Sequence, residues 1–369
     1  MNTTTTDNTT KPWTTVPGYL KGPKYDHILI FGVLMLALGS GLVVWYRPDL
    51  FLTVFLLDIW LLGYHHVIAT FTKLAGTPRD RAQNSFLIYQ LPFLVLAGVI
   101  GLYMWMGIWL IITIYFFWQW FHYTRQSYGI SVFYRKKSGI QNSATPVRLD
   151  YAAIWAIPIW GLIHRCAQGW DKFLFMPVWM PDLPMWLSYF AAAIALGIVS
   201  AWLITKIIDW SRGNLSYCAF FFMLSHQLVF FAGYVFIPDI NIGWLVANIW
   251  HNAQYILFVW LFNQNRFRPR ENQPVTVKDK SGPEEGKVMA WLSQTHPYRI
   301  LLYFGFCLLA TTFFYGSVQA GLKFALSGNE LLLIAGMIVV FQAVNFHHYI
   351  VDSLIWKARK KSNQKIMNV

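Results

Sequence analysis

The chain has 369 residues, of which 56% are hydrophobic, 18% aromatic and only 12% charged, and its mean hydropathy is +0.42. That balance excludes an ordinary soluble domain of this size and predicts an all-α, polytopic membrane protein. A net charge of +13 would be the footprint of a nucleic-acid binder in a soluble domain, but here Lys and Arg lie between apolar segments, so the charge reads as topology and nucleic acid is not expected as a partner.

The start, residues 1–26, is polar and Thr-rich. It lacks the cationic stretch, short apolar core and cleavage site of a signal peptide, and is expected to be a disordered tail. About 20 apolar residues cross a bilayer. On that length, ten transmembrane helices are expected at roughly 27–46, 50–73, 84–104, 107–128, 149–168, 185–207, 216–237, 242–262, 299–321 and 330–356. The first eight fill 27–263. Residues 264–298 form a cytoplasmic loop rich in Pro, Gly and charge, within which KVMAWLSQ suits the membrane surface. The last two helices occupy 299–356, and 357–369 is a basic cytoplasmic tail. An even number of spans puts both termini on one side. That side then receives 25 Lys and Arg, against 4 (Arg47, Arg165, Lys172 and Lys323) on the other, which predicts cytoplasmic termini and a multi-pass protein of the bacterial inner membrane. Between the third and fourth spans, Met104 to Gly107 leaves room for only a very short turn.

Charged and metal-ligating side chains are expensive in hydrocarbon and mark function. Seven of the ten histidines fall inside predicted spans: His65 and His66 in LLGYHHVIATF, His122 in FFWQWFHYTRQSYG, His226 in FFFMLSHQLVFF, His251 in ANIWHNAQYILF, and His347 with His348 in VNFHHYIVDSLIW. His27 and His164 near helix ends and His296 in the loop have interfacial readings. Counted from the cytoplasmic surface at about 1.5 Å per residue, His122 lies shallowest and the other six lie ~12–16 Å deep. Five helices thus present imidazoles to the cytoplasmic half of the membrane, and a shared metal site is the expectation.

Polar neighbours extend the pattern. Residues three or four apart share a helix face, which places Asn248, Gln254 and Tyr255 beside His251, and Gln126 beside His122. Asp58, two turns before His65, and Asp352, four after His348, are candidates to orient imidazoles or to ligate directly. Tyr255 or Tyr123 is placed to donate a proton or hydrogen bond, and Asp352 joins Tyr255 as a candidate catalytic residue. Adjacent histidines point about 100° apart, so the members of a doublet need not serve one ion. A His-rich set without Cys suits Fe, Zn, Cu or Mn. Seven imidazoles and two carboxylates exceed the needs of one tetrahedral ion, which makes a dinuclear centre an expectation. Cys166, Cys218 and Cys307 are dispersed, which argues against a disulfide framework or thiolate site.

The doublets His65-His66 and His347-His348 among apolar helices resemble the histidine usage of integral-membrane non-haem di-iron oxygenases and desaturases, although no His-x-x-His-His or His-x-x-x-His box is present. That resemblance implies O2 activation by His-bound iron and a lipophilic substrate such as a fatty-acyl or isoprenoid chain drawn from membrane lipid. It also implies an electron-donor protein on the cytoplasmic side. The aromatic run Phe116, Phe117, Trp118, Trp120 and Phe121 suits such a chain or simple packing. Two alternatives come from other classes. HHYIVD fits the His-His-x-x-x-Asp pattern of certain acyltransferases, with His348 as general base. A histidine-lined metal or proton transporter is the third; broken helices would favour it, and Pro92 and Pro158 are candidate kinks, but the spans bearing the seven histidines contain no proline in their interiors.

Overall fold

The computed structural model describes residues 12–267, 287–293 and 297–369. Readings that fall elsewhere, including His296 and most of the 264–298 loop, lie outside the described residues. Among the described residues, seven helices are long and apolar enough to cross a membrane: Pro23–Tyr46 (α1), Pro48–Leu74 (α2), Phe86–Met106 (α3), Met185–Ser211 (α6), Tyr217–Phe236 (α7), Tyr298–Ala325 (α9) and Glu330–Ile355 (α10). Ile108–Ser138 (α4), Val147–Ala167 (α5) and Ile240–Phe267 (α8) match them in length. The protein is helical and multi-pass, and its position is integral to the membrane.

Helices α4 and α8 are less apolar for a physical reason. A helix enclosed by its neighbours need not offer a uniformly apolar face to lipid. Helix α8 is buried along nearly its whole length and carries Asn248, His251, Asn252 and Gln254 into the interior. It packs against α1, α2 and α7, while α10 packs against α3 and α4, and α5 against α6. Helix α3 is the opposite case, with 6% of its apolar stretch buried, and it lies on the periphery. The predicted tight turn between α3 and α4 is the single residue Gly107, whose φ of 80° suits glycine.

Four helices contain a π-helical turn, at Ile28–Gly32, Ile59–Gly63, Phe86–Gln90 and Ala232–Phe236. Each inserts one extra residue, and the first three shift by one position which residues of the helix beyond share a face with those before. The last brings Gly233 against α8 so closely that a Cβ on Gly243 would stand 2.0 Å from the Gly233 carbonyl oxygen.

The described part of the expected N-terminal tail is ordered. Thr15–Val16 pairs in parallel with Leu215–Ser216. The Asp26 carboxylate accepts from the backbone N–H groups of Leu20, Lys21 and Gly22 and from the Tyr134 hydroxyl. A buried carboxylate that gathers four donors fixes the turn ahead of α1, which composition alone did not reveal. At the other end, the short helix Lys361–Met367 packs beside α8, and Lys137 Nζ donates to the Asn368 carbonyl at 3.2 Å. Both described chain ends therefore meet the C-terminal end of α4.

Candidate metal centre

Four imidazoles and one carboxylate converge in the bundle interior. His66 comes from α2, His122 from α4, His251 from α8, and His348 with Asp352 from α10, and all five are buried. Ligand atoms of His66, His122 and His251 lie within 4.8 Å of one another, as do those of His122, His348 and Asp352. His66 Nε2 and His348 Nε2 are 2.9 Å apart. Asp352 Oδ2 stands 3.5 Å from His348 Nε2 and 3.9 Å from His122 Nε2. The His251 ring centroid is 5.2 Å from that of His66 and 4.9 Å from that of His122.

Each doublet splits, as the 100° between adjacent helical residues requires. His65 turns away, with Nδ1 3.2 Å from the Leu61 carbonyl. His347 turns toward α3, with Nε2 2.8 Å from the Leu87 carbonyl and its ring stacked on Phe71. His226 also stays outside the cluster, with Nε2 2.8 Å from the Ile154 carbonyl and its ring against Phe230 and Trp250. The expectation of seven convergent ligands is corrected to four. For two of the three exceptions the cause is a proline. Ile154 is four residues before Pro158, which has no N–H to return to it, so its carbonyl is orphaned within α5. In the π turn of α3, Leu91 N–H bonds to Phe86, so the i+5 partner for Leu87 would be Pro92, which again has no N–H. His226 and His347 satisfy those two carbonyls.

Asp58 is corrected in the same way. The π turn at Ile59–Gly63 lies between it and the histidines, and the inserted residue moves the face shared with Asp58 from His65 to His66. Asp58 Oδ2 accepts from the Asn248 amide, and Tyr123 donates to Asn248 Oδ1. The Tyr123 ring stacks on His251 at 4.0 Å between centroids. Asp58 and Asn248 therefore support His251 through Tyr123 and touch no imidazole by hydrogen bond. Gln126 Nε2 reaches the His251 carbonyl at 3.5 Å. Gln254 is buried with neither amide atom hydrogen-bonded among the described residues.

Behind Asp352 lies a closed chain of hydroxyls. Tyr255 Oη donates to Asp352 Oδ1 at 2.8 Å and accepts from Trp356 Nε1 at 2.8 Å. Thr70 Oγ1 sits 2.7 Å from Tyr255 Oη and 3.0 Å from His348 Nδ1. With the tyrosine proton committed to the carboxylate, Thr70 donates to Tyr255 and accepts from His348 Nδ1–H. His348 Nε2 is thereby left as a lone pair facing the cluster. Sequence reading missed Thr70 and Trp356. Their signal was present in the i+4 spacings His66 to Thr70 and Asp352 to Trp356.

The donor chemistry fits a cation. His66 Nδ1, His122 Nε2 and both ring nitrogens of His251 are buried without a hydrogen-bond partner among the described residues. Buried polar atoms left so are costly, and a metal bound by the ring nitrogens facing the centre relieves part of that cost. Beside the cluster opens a cavity of about 200 Å³ bordered by His122, Tyr255 and Asp352, with Trp118, Phe121 and Phe258 as apolar walls. Of the aromatic run, Trp118 and Phe121 face this cavity, whereas Phe116 packs on Phe173 and Trp120 donates to the Pro158 carbonyl. No family model matches the chain, and neither the curated proteins nor the solved structures contain a match to it.

Proposed function

We propose that the chain is a metal-dependent membrane oxidoreductase that holds one iron ion through His66, His122, His251, His348 and Asp352 and acts on a lipophilic substrate, a fatty-acyl or isoprenoid chain. The observation that carries the reading is the convergence of buried imidazoles from four helices, three of them with unpartnered ring nitrogens, beside an apolar-walled cavity. Four imidazoles and a carboxylate without thiolate suit iron, and such a set leaves an octahedral ion a position for O2 or substrate. Zinc or copper would accept the same donors. The reading is mononuclear, since His65, His226 and His347 stand outside the groups whose ligand atoms come together.

Bound there, iron would supply O2 activation against C–H or C=C bonds. The chain's own residues orient and protect. Tyr255 and Thr70 hold Asp352 Oδ1 and His348 Nδ1, which turns Oδ2 and Nε2 toward the centre and His66. Tyr255 also borders the cavity, with its one hydroxyl proton committed to Asp352. Trp118, Phe121 and Phe258 exclude water and hold an apolar chain. Arg125 lines the same cavity and donates to the Ser353 carbonyl at 3.0 Å.

The same reading takes all ten long helices as spans, with both termini cytoplasmic in a bacterial inner membrane. The asymmetry of 25 cations to 4 supports it, as does the meeting of both described chain ends at the basic end of α4. An acidic electron-donor protein would dock on that face. The test is O2 uptake by iron-loaded protein given a chemical reductant and membrane lipid extract, with products identified by mass spectrometry. Oxygenated or desaturated lipid formed by wild type and lost in His251→Ala is expected. Acyl-CoA turnover that depends on His348, without O2 uptake, would overturn it in favour of an acyltransferase.

A further inference from the structure

A second cavity, of about 480 Å³, lies on the other side of α2 between α1, α8 and α9. Its walls include Val33, Leu36, Leu62, Ile256, Phe304 and Leu308, and its one polar lining side chain is His65. His65 is 5% exposed, and its ring meets Phe304 edge-on. Its Nδ1 faces the Leu61 carbonyl, and a carbonyl can only accept, so Nδ1 carries the hydrogen. Nε2 of the neutral ring is then a bare lone pair, buried and without a partner among the described residues. The space is large enough for a small-molecule ligand. What it asks of an occupant is specific: an apolar body and one hydrogen-bond donor.

We infer that this cavity is a binding site for a membrane-soluble alcohol whose hydroxyl donates to His65 Nε2. An ester or ketone of the same shape has only acceptors and would leave Nε2 unpaired, and a charged headgroup would meet no counter-charge in the lining. Two sources share the required chemistry, a long-chain or prenyl alcohol and a quinol. The site faces away from the imidazole cluster, because His65 and His66 project from different faces of α2, and it stands whether or not the cluster binds metal.

The experiment uses the full chain in lipid nanodiscs and a photoreactive long-chain alcohol, with its methyl ether as the capped control. Peptide mapping should place the alcohol's crosslinks on α1 and α9, with the ether about 10-fold weaker, the order expected of one buried hydrogen bond. His65→Phe should reduce the alcohol to the level of the ether. Gly305 lines the cavity, and a side chain there would meet open space, so Gly305→Leu should fill the site and abolish both signals. Competition by farnesol against a decyl-tailed quinol then separates the sources. Equal crosslinking by alcohol and ether, or undiminished crosslinking in a folded Gly305→Leu protein, would overturn the inference. An unchanged melting temperature serves as the folding control.

Discussion

At His348 the two ring nitrogens face different chemistry, with Nε2 toward His66 and Asp352 and Nδ1 toward the Thr70 hydroxyl. Removing that hydroxyl should loosen the ring without removing a ligand. Thr70→Val is expected to weaken metal affinity about 10- to 100-fold, the usual effect of losing a hydrogen bond that orients a ligand, as measured by chelator competition. His226→Ala should behave differently. It strips the partner from the Ile154 carbonyl, so it should lower stability by about 1–3 kcal/mol in thermal melts while leaving bound metal unchanged. In sequence, His226 and His251 look alike, each the one histidine of its helix and near its middle. What separates them is a proline on a neighbouring helix, and only tertiary packing shows which orphaned carbonyl a histidine will meet.

Elements set the register of the centre. The π turn Ile59–Gly63 rotates His66, and not His65, onto the face that meets α8. Deleting Leu61 would remove the extra residue and restore α-helical pitch, leaving His66 seven residues after Asp58 and on the same face, so the deletion variant should insert in the membrane and keep the metal. Loss of metal from that variant, with folding intact, would refute the register argument. A second device is Arg165, fully buried, whose guanidinium donates to the carbonyls of Gly233, Ile237 and Pro238 at 2.9, 2.6 and 2.7 Å. It ties α5 to the C-terminal end of α7, where the π turn and the next loop leave acceptors free. Arg165→Leu should cost about 3 kcal/mol or more, since several buried acceptors lose a charged donor at once. The positions of the long helices were legible because hydrocarbon thickness sets their length, except that α4 runs on to Ser138 where an end near residue 128 was expected. The π turns were not, since one inserted residue leaves hydrophobic patterning nearly unchanged.

For the whole molecule, the histidine depths read from sequence were enough to predict that several helices meet at one level, and four of them do. The ordered segment ahead of α1 escaped sequence reading because the Asp26 carboxylate that organises it finds one of its donors, Tyr134, 108 residues away. Cysteines introduced at Thr14 and at Asn368 should both react with a membrane-impermeant maleimide only in inverted vesicles, as the cation asymmetry requires. Labelling of either one in right-side-out vesicles would contradict the shared cytoplasmic placement. The central claim is the convergence of His66, His122, His251, His348 and Asp352 on one ion. It is tested most directly by quantifying Fe, Zn, Cu and Mn in purified wild type, His122→Ala and His226→Ala. The account predicts about one equivalent of iron in wild type and His226→Ala, and almost none in His122→Ala. Folded wild type without a transition metal, or equal loss in both variants, would contradict it.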